Sequence, residues 1–353
     1  MFYGHMLGAL FLQTFVFSAW ILKSCDGSAD KGSRAKEPDL PEHARLGVFM
    51  IIDPSIGNAT REGYINYTAS LLGGVNIKFR NIKSRTIKLG LVDLHIMNET
   101  EVSTYLPVNN NSHLELRSTW QALLKFKATM TPANETDILY VLTGRNIFST
   151  TEWPKVLSGA ASTKGVCTDY NIAVGNDVLG SYLGMDVFAL NMARMLGAWS
   201  HECYKNFSGV FDDCHEKHLM STLRRAWPYC TQHNTIITTW MSGGQLPGEF
   251  FNNSAYCEGK GNNTVQLKEC EVSKNKTQEC LLCCSLATDP NNVSYYDAPD
   301  GTTCIDNLYD SEKIGCLEKK CETRLWKIKR VANPAWSYPV NLKETTTATT
   351  TSG

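Results

Sequence analysis

Of 13 cysteines, twelve fall between Cys167 and Cys321, and the long stretch before them holds only Cys25. An even, dense and late set of this kind marks a chain that folds in an oxidising compartment, where thiols pair. It predicts six disulfides among Cys167, Cys203, Cys214, Cys230, Cys257, Cys270, Cys280, Cys283, Cys284, Cys304, Cys316 and Cys321. Spacing leaves their connectivity open. The same distribution divides the chain. The front half must fold by burying an apolar core without cross-links. After about residue 250 the apolar periodicity fades and Cys280, Cys283 and Cys284 crowd together. A core that small must be held by bridges.

The N-terminus agrees with an extracellular destination. Met6 to Leu22 is nearly all apolar and is followed by Lys23 and the small residues Ser24, Gly27 and Ser28. The run is short for a membrane span and leads into polar sequence, so residues 1–27 are expected to be a cleaved signal peptide. No Lys or Arg precedes the run, which keeps a retained anchor as the alternative. No later run is long and apolar enough to span a bilayer. Ten N-x-S/T sequons, at Asn58, Asn66, Asn98, Asn110, Asn134, Asn206, Asn252, Asn262, Asn275 and Asn292, point the same way; each one used must lie on the surface. A net charge of −1 over 353 residues removes any whole-protein attraction to nucleic acid or to an anionic membrane. The expectation is a secreted glycoprotein with no nucleic-acid partner and no membrane span once the signal is removed.

Residues 28–44 are polar and read as a leader, with no segment of pro-domain length before the globular part. Leu46 to Ile52 and Thr86 to Met97 then read as strands, with helical spacing from Tyr64 to Leu72 between them. Leu114 to Phe126 has the pattern of an amphipathic helix, and Asp137 to Gly144 that of a third strand. Helix resumes at about Tyr182 and runs to Gly197, where the glycine stops it. Strands alternating with helices predict an α/β sheet. The domain expected over 45–250 is followed by a cysteine-rich one over 251–325 and a basic, then Thr-rich tail over 326–353.

Several separated motifs, in order, carry a family resemblance. The segment from Asp137 to Phe148, the segment from Gly165 to Asp177 and the helix from Leu179 to Glu202 resemble the reprolysin (adamalysin) type of metzincin metalloprotease. His218 to Ser221 matches that family's Met-turn, with Met220 as its methionine, and the WPYC ending at Cys230 matches its last helix region. Ala298 to Cys321 is similar to the cysteine-rich module that follows the protease domain in salivary reprolysin-like proteins of blood-feeding ticks. The resemblance implies a metzincin-like, mostly parallel five-stranded sheet with flanking helices and one antiparallel edge strand, followed by a small disulfide-rich module. The edge strand, placed near Val141 to Ile147, would pair with an extended peptide lying in the cleft.

The family's zinc site does not carry over. An active metzincin holds H-E-x-x-H-x-x-G-x-x-H. With Gly197 on the motif glycine, Leu190 and Arg194 stand at the first two His positions, Ser200 at the third, and Asn191 at the catalytic Glu. Leu190 offers zinc no lone pair, and Arg194 is a permanent cation with donors only. Asn191 cannot take a proton from water, so the general base is missing too. Arg194, on a partly buried helix face, needs a partner, with Glu202 and Asp213 as candidates.

Displaced ligands remain an alternative. His201 is one residue beyond Ser200. His215 and His218 resemble a metal pair, although surface histidines are the default reading and His218 falls where the family has a turn. Met220 is read as a core methionine. Lys319 to Arg330 holds six basic residues around Trp326; a solvated charge run is the default and a sulfated-glycan contact the alternative.

The leading expectation is a secreted, glycosylated pseudoprotease that needs no cofactor and binds a host haemostatic, matrix or immune protein. The alternatives are an active zinc endopeptidase with a rearranged metal site, and an adhesion or inhibitor activity carried by the cysteine-rich module.

Overall fold

In the computed structural model the apolar run at Leu46 to Ile52 forms most of strand β1 (His43–Ile52). The structure describes residues 40–79, 82–130, 133, 135–149, 155–198, 203, 211–230, 246–261, 265–271, 276, 279–305, 314–317 and 319–322. Every residue from Leu46 to Ile52 is buried, as expected for a strand inside a parallel sheet with both faces covered. The expected leader boundary at residue 44 therefore falls inside β1, because His43 and Ala44 already pair with Thr86 and Ile87. The expected signal peptide and the tail over 326–353 lie outside the described residues.

After β1 come helix α1 (Arg61–Lys78), strand β2 (Thr86–Ile96) and helix α2 (Glu99–Tyr105). Next are β3 (Leu114–Glu115), α3 (Leu116–Thr129), β4 (Ile138–Thr143), β5 (Ile147–Ser149), β6 (Lys155–Leu157), β7 (Gly159–Ala161) and β8 (Ile172–Asn176). Helices α4 (Met185–Met195) and α5 (Asp213–Ala226) complete this part. The main sheet has the order β2-β1-β4-β8-β7. The first four strands are parallel, and β7 runs antiparallel to β8. Because successive residues of a strand point to opposite faces, β1 feeds two cores. Val48, Met50 and Ile52 pack with Leu71 of α1, Met192 of α4 and Leu223 of α5. Phe49 and Ile51 pack with Leu123 and Phe126 of α3.

The antiparallel edge is not near Val141 to Ile147. Val141 lies in β4, buried along its whole length between β1 and β8, and Ile147 opens β5 in a separate small sheet. A fully buried strand with neighbours on both sides cannot be an edge; the antiparallel edge is the short, small-residue strand β7.

Beyond residue 246 the elements shrink. Helices α6 (Pro247–Phe250) and α7 (Asn253–Lys260) precede an antiparallel sheet of β9 (Leu267–Glu269), β10 (Leu281–Leu286) and β11 (Asp289–Asp297). A second small sheet holds β12 (Thr303–Ile305), β13 (Ile314–Leu317) and β14 (Lys320–Glu322). All twelve late cysteines pair. The bridges Cys167–Cys230 and Cys203–Cys214 tie the α/β part. Cys257–Cys284, Cys270–Cys283, Cys280–Cys316 and Cys304–Cys321 tie the later segment. No bridge crosses residue 250. Five of the nine buried members of the later core are half-cystines, so cross-links replace the aliphatic bulk that a core of this size lacks. No described helix is long and apolar enough to cross a membrane.

Candidate functional site

Helix α4 starts at the carboxyl end of β8, where Asp177 organises its first turn. The Asp177 carboxylate, 4% exposed, accepts from the Gly184 N–H at 2.9 Å, the Val178 N–H at 2.8 Å and the Ser181 hydroxyl at 3.0 Å. The Tyr67 hydroxyl of α1 donates to its other oxygen. Burial pushes the Asp177 carboxyl above the ordinary carboxylate range, against the pull of these four hydrogen bonds. Gly184 provides no side-chain cap, so a carboxylate from the preceding loop supplies the acceptor that the helix start requires. At the other end Gly197, with φ +79°, stops the helix, and a Cβ there would lie 2.1 Å from Thr222 Oγ1 of α5. Glycine serves both the left-handed turn and the close approach of α5.

Asn191 is the residue that ties α4 to the sheet. It is 3% exposed, and its Nδ2 donates to the Val174 carbonyl of β8 at 3.0 Å and to the Tyr140 hydroxyl of β4 at 3.3 Å. Tyr140 also packs on Phe188 of α4, with ring centroids 3.9 Å apart. Burial holds the Tyr140 phenol protonated far above its usual range. The helix can come this close because β7 has no side chain at Gly159. A Cβ there would meet Val187 Cγ1 at 2.3 Å and Asn191 Nδ2 at 2.9 Å. Asn191 is a buried structural amide aimed at backbone.

Leu190 is half-buried and lines a cavity toward the cysteine-rich segment. Arg194 is half-buried, and its carbonyl accepts from the Lys164 and Gly197 N–H groups, each at 3.0 Å. Of the partners expected for Arg194, Asp213 pairs with Lys83 at 3.0 Å. Glu202, Ser200 and His201 lie outside the described residues. The residues that the resemblance would set at zinc positions do not fit the ion: Leu190 and Arg194 have no lone pair to give, and the Asn191 nitrogen is committed to Val174 and Tyr140. Among the described residues, the groups of three His, Cys, Asp or Glu that come together, Cys280, Cys304 and Cys316 and also Asp137, Cys167 and Cys230, consist of half-cystines with at most one carboxylate.

The histidine pair is placed on α5, and there is no turn at His218 to Ser221. Helix runs without a break from Asp213 to Ala226. Asp212 caps it: its carboxylate accepts from the Cys214 and His215 N–H groups and meets His215 Nδ1 at 2.6 Å. His215, 2% exposed and packed edge-on against Phe211, takes part in the cap of α5. Leu219, Met220 and Leu223 at helical spacing join the main core, which explains why helix wins there over a turn. Met220, 5% exposed, is a core methionine.

Asn58, Asn98, Asn110, Asn252 and Asn292 are exposed, whereas Asn66 is half-buried on α1. Asn98 and Asn252 double as helix N-caps. Asn134, Asn206, Asn262 and Asn275 lie outside the described residues, as does Lys319 to Arg330 beyond Glu322. Sequence reasoning missed Asp177, Tyr140 and Gly159. Their signals were an acid just past a strand and a glycine beside it, neither of which points to a helix some residues away.

No protein-family model matches the chain, and no curated protein matches it. Among solved structures, one titled "Structure of a chaperone-substrate complex" aligns with a TM-score of 0.31 and 11% identity. The alignment covers 44% of this chain and 24% of that one, so this chain spans about a quarter of its length. Likeness at that level carries no argument about fold or function.

Proposed function

We propose that the chain is a secreted glycoprotein on a reprolysin-type metzincin scaffold that has stopped cutting and binds a protein partner instead, in the class of host haemostatic, matrix or immune proteins. The supporting observation is Asn191. At the place of the general base its amide is buried and bonded to the Val174 carbonyl at 3.0 Å, which ties α4 to the sheet. The sheet order, the antiparallel edge β7 and the stop at Gly197 agree with the scaffold. The edge of β7 away from β8, unpaired among the described residues, is where an extended peptide would add as a strand. The test uses the purified full chain with its disulfides intact. Incubation with casein, with and without added zinc, is expected to leave the substrate whole, while immobilised plasma and matrix proteins show saturable binding. Zinc-dependent, chelator-sensitive cleavage would refute the proposal.

A further inference from the structure

The face of α4 turned away from the sheet looks into a cavity of about 840 Å³ shared with the cysteine-rich segment. That volume lies in the range of small-ligand sites. Its aliphatic lining is Ile77, Leu183, Met185 and Leu190. Its aromatic lining is Tyr182, Tyr256, Tyr295 and Tyr296.

Its charges are not equally available. Lys78 and Asp186 pair at 2.8 Å, and Lys319 and Asp297 at 2.7 Å, so each neutralises its neighbour. Asp300 is 7% exposed and already engaged. Lys260 differs. It is exposed, with no carboxylate in ion-pair reach among the described residues, and its ammonium stands 5.2 Å from the Tyr256 ring and 5.6 Å from the Tyr296 ring. The open charge is therefore positive and rests on the aromatic lining. A cationic ligand would have to displace Lys260 from those ring faces. An anion gains from the same arrangement. The Tyr256 hydroxyl donates to the Asp297 carbonyl at 3.1 Å, which fixes the ring beneath Lys260.

We infer that this cavity binds a small amphipathic anion, with its apolar body against Leu190 and the tyrosines and its carboxylate or sulfate at Lys260. The inference goes beyond the proposed loss of proteolysis and does not depend on it. It assigns Leu190 a role as a cavity wall.

Titration calorimetry of the full chain with decanoate, decanol and decylamine tests it. Decanoate is expected to bind saturably at one site, about tenfold more tightly than decylamine. Lys260→Ala should weaken decanoate about three- to fivefold, the scale of one partly exposed ion pair, and leave decanol unchanged. Leu190→Trp, which narrows the cavity along α4, should weaken binding of both. Lys260 is exposed, so its variant keeps the test valid if Leu190→Trp does not fold. No saturable decanoate binding, equal affinity for acid and amine, or a Lys260→Ala variant that binds decanoate like the parent would overturn the inference.

Discussion

Replacing Asn191 tests directly whether α4 is a structural element or the relic of a catalytic one. Asn191→Ala removes the donor to the Val174 carbonyl and the Tyr140 hydroxyl, both inside the core. It also leaves a small void between α4 and the sheet beside Gly159. Two buried hydrogen bonds at about 1 kcal/mol each, plus about 1 kcal/mol for the void, give a loss of about 2–4 kcal/mol. Asn191→Asp keeps the shape but sets a carboxylate oxygen against the Val174 carbonyl. Burial would raise that carboxyl's folded pKa above its unfolded value. Its deficit is then present at neutral pH and shrinks as pH falls, because the protonated acid can donate as the amide does. Asn191→Glu, which sets a longer carboxylate at this position, should be worse still, since the longer chain has no room beside Gly159. Urea unfolding of each variant, repeated at neutral and mildly acidic pH, reads the cost. An Asn191→Ala variant within about 0.5 kcal/mol of the parent, the range of a neutral surface change, would refute the reasoning.

Three further outcomes follow from the geometry. Gly197→Ala must take φ +79° and place a Cβ 2.1 Å from Thr222 Oγ1; a loss of about 1–3 kcal/mol is expected, partly recovered by adding Thr222→Ala, with a thermal melt as the readout. Asp212 and Glu216 act together at the start of α5. Burial opposes their charge, but hydrogen bonds from His215 and Cys214, and from Ser84 and Lys83, hold both carboxyls below their usual values. Depressed carboxyls stabilise the fold above their unfolded pKa values and lose that contribution as pH falls through the folded ones, so stability should drop on acidification below about pH 4.5, less steeply in Glu216→Gln; identical acid profiles for parent and variant would count against this. Mild reduction should open the segment after residue 250 before the α/β part, because its core is largely half-cystine; limited proteolysis with mass spectrometry should find the first cuts there, and first cuts inside β1 to β8 would contradict the account.

Much of the front half was legible because its signals are local. Leu46 to Ile52 and Asp137 to Gly144 are too short and too apolar to be anything but buried strands, and Thr86 to Met97 needed only its β-branched and aliphatic run. The twelve paired cysteines followed from their number and place. The errors came from long-range effects. An edge strand and a central strand differ in neighbours, not in composition, so the run after Val141 was given the wrong place in the sheet. The matched tetrapeptide at His218 suggested a turn, yet Asp212 as a cap and the apolar stripe of Leu219, Met220 and Leu223 make it helix. The candidate site was legible only as substitutions at Leu190, Asn191 and Arg194. What Asn191 does instead depends on a glycine in another strand and a tyrosine in a third.

The most direct test of the central claim is the zinc content of the purified, disulfide-intact full chain, measured by elemental mass spectrometry after equilibration with zinc and removal of excess. The account predicts no stoichiometric zinc. One tightly held zinc per chain, removed by a chelator, would contradict it.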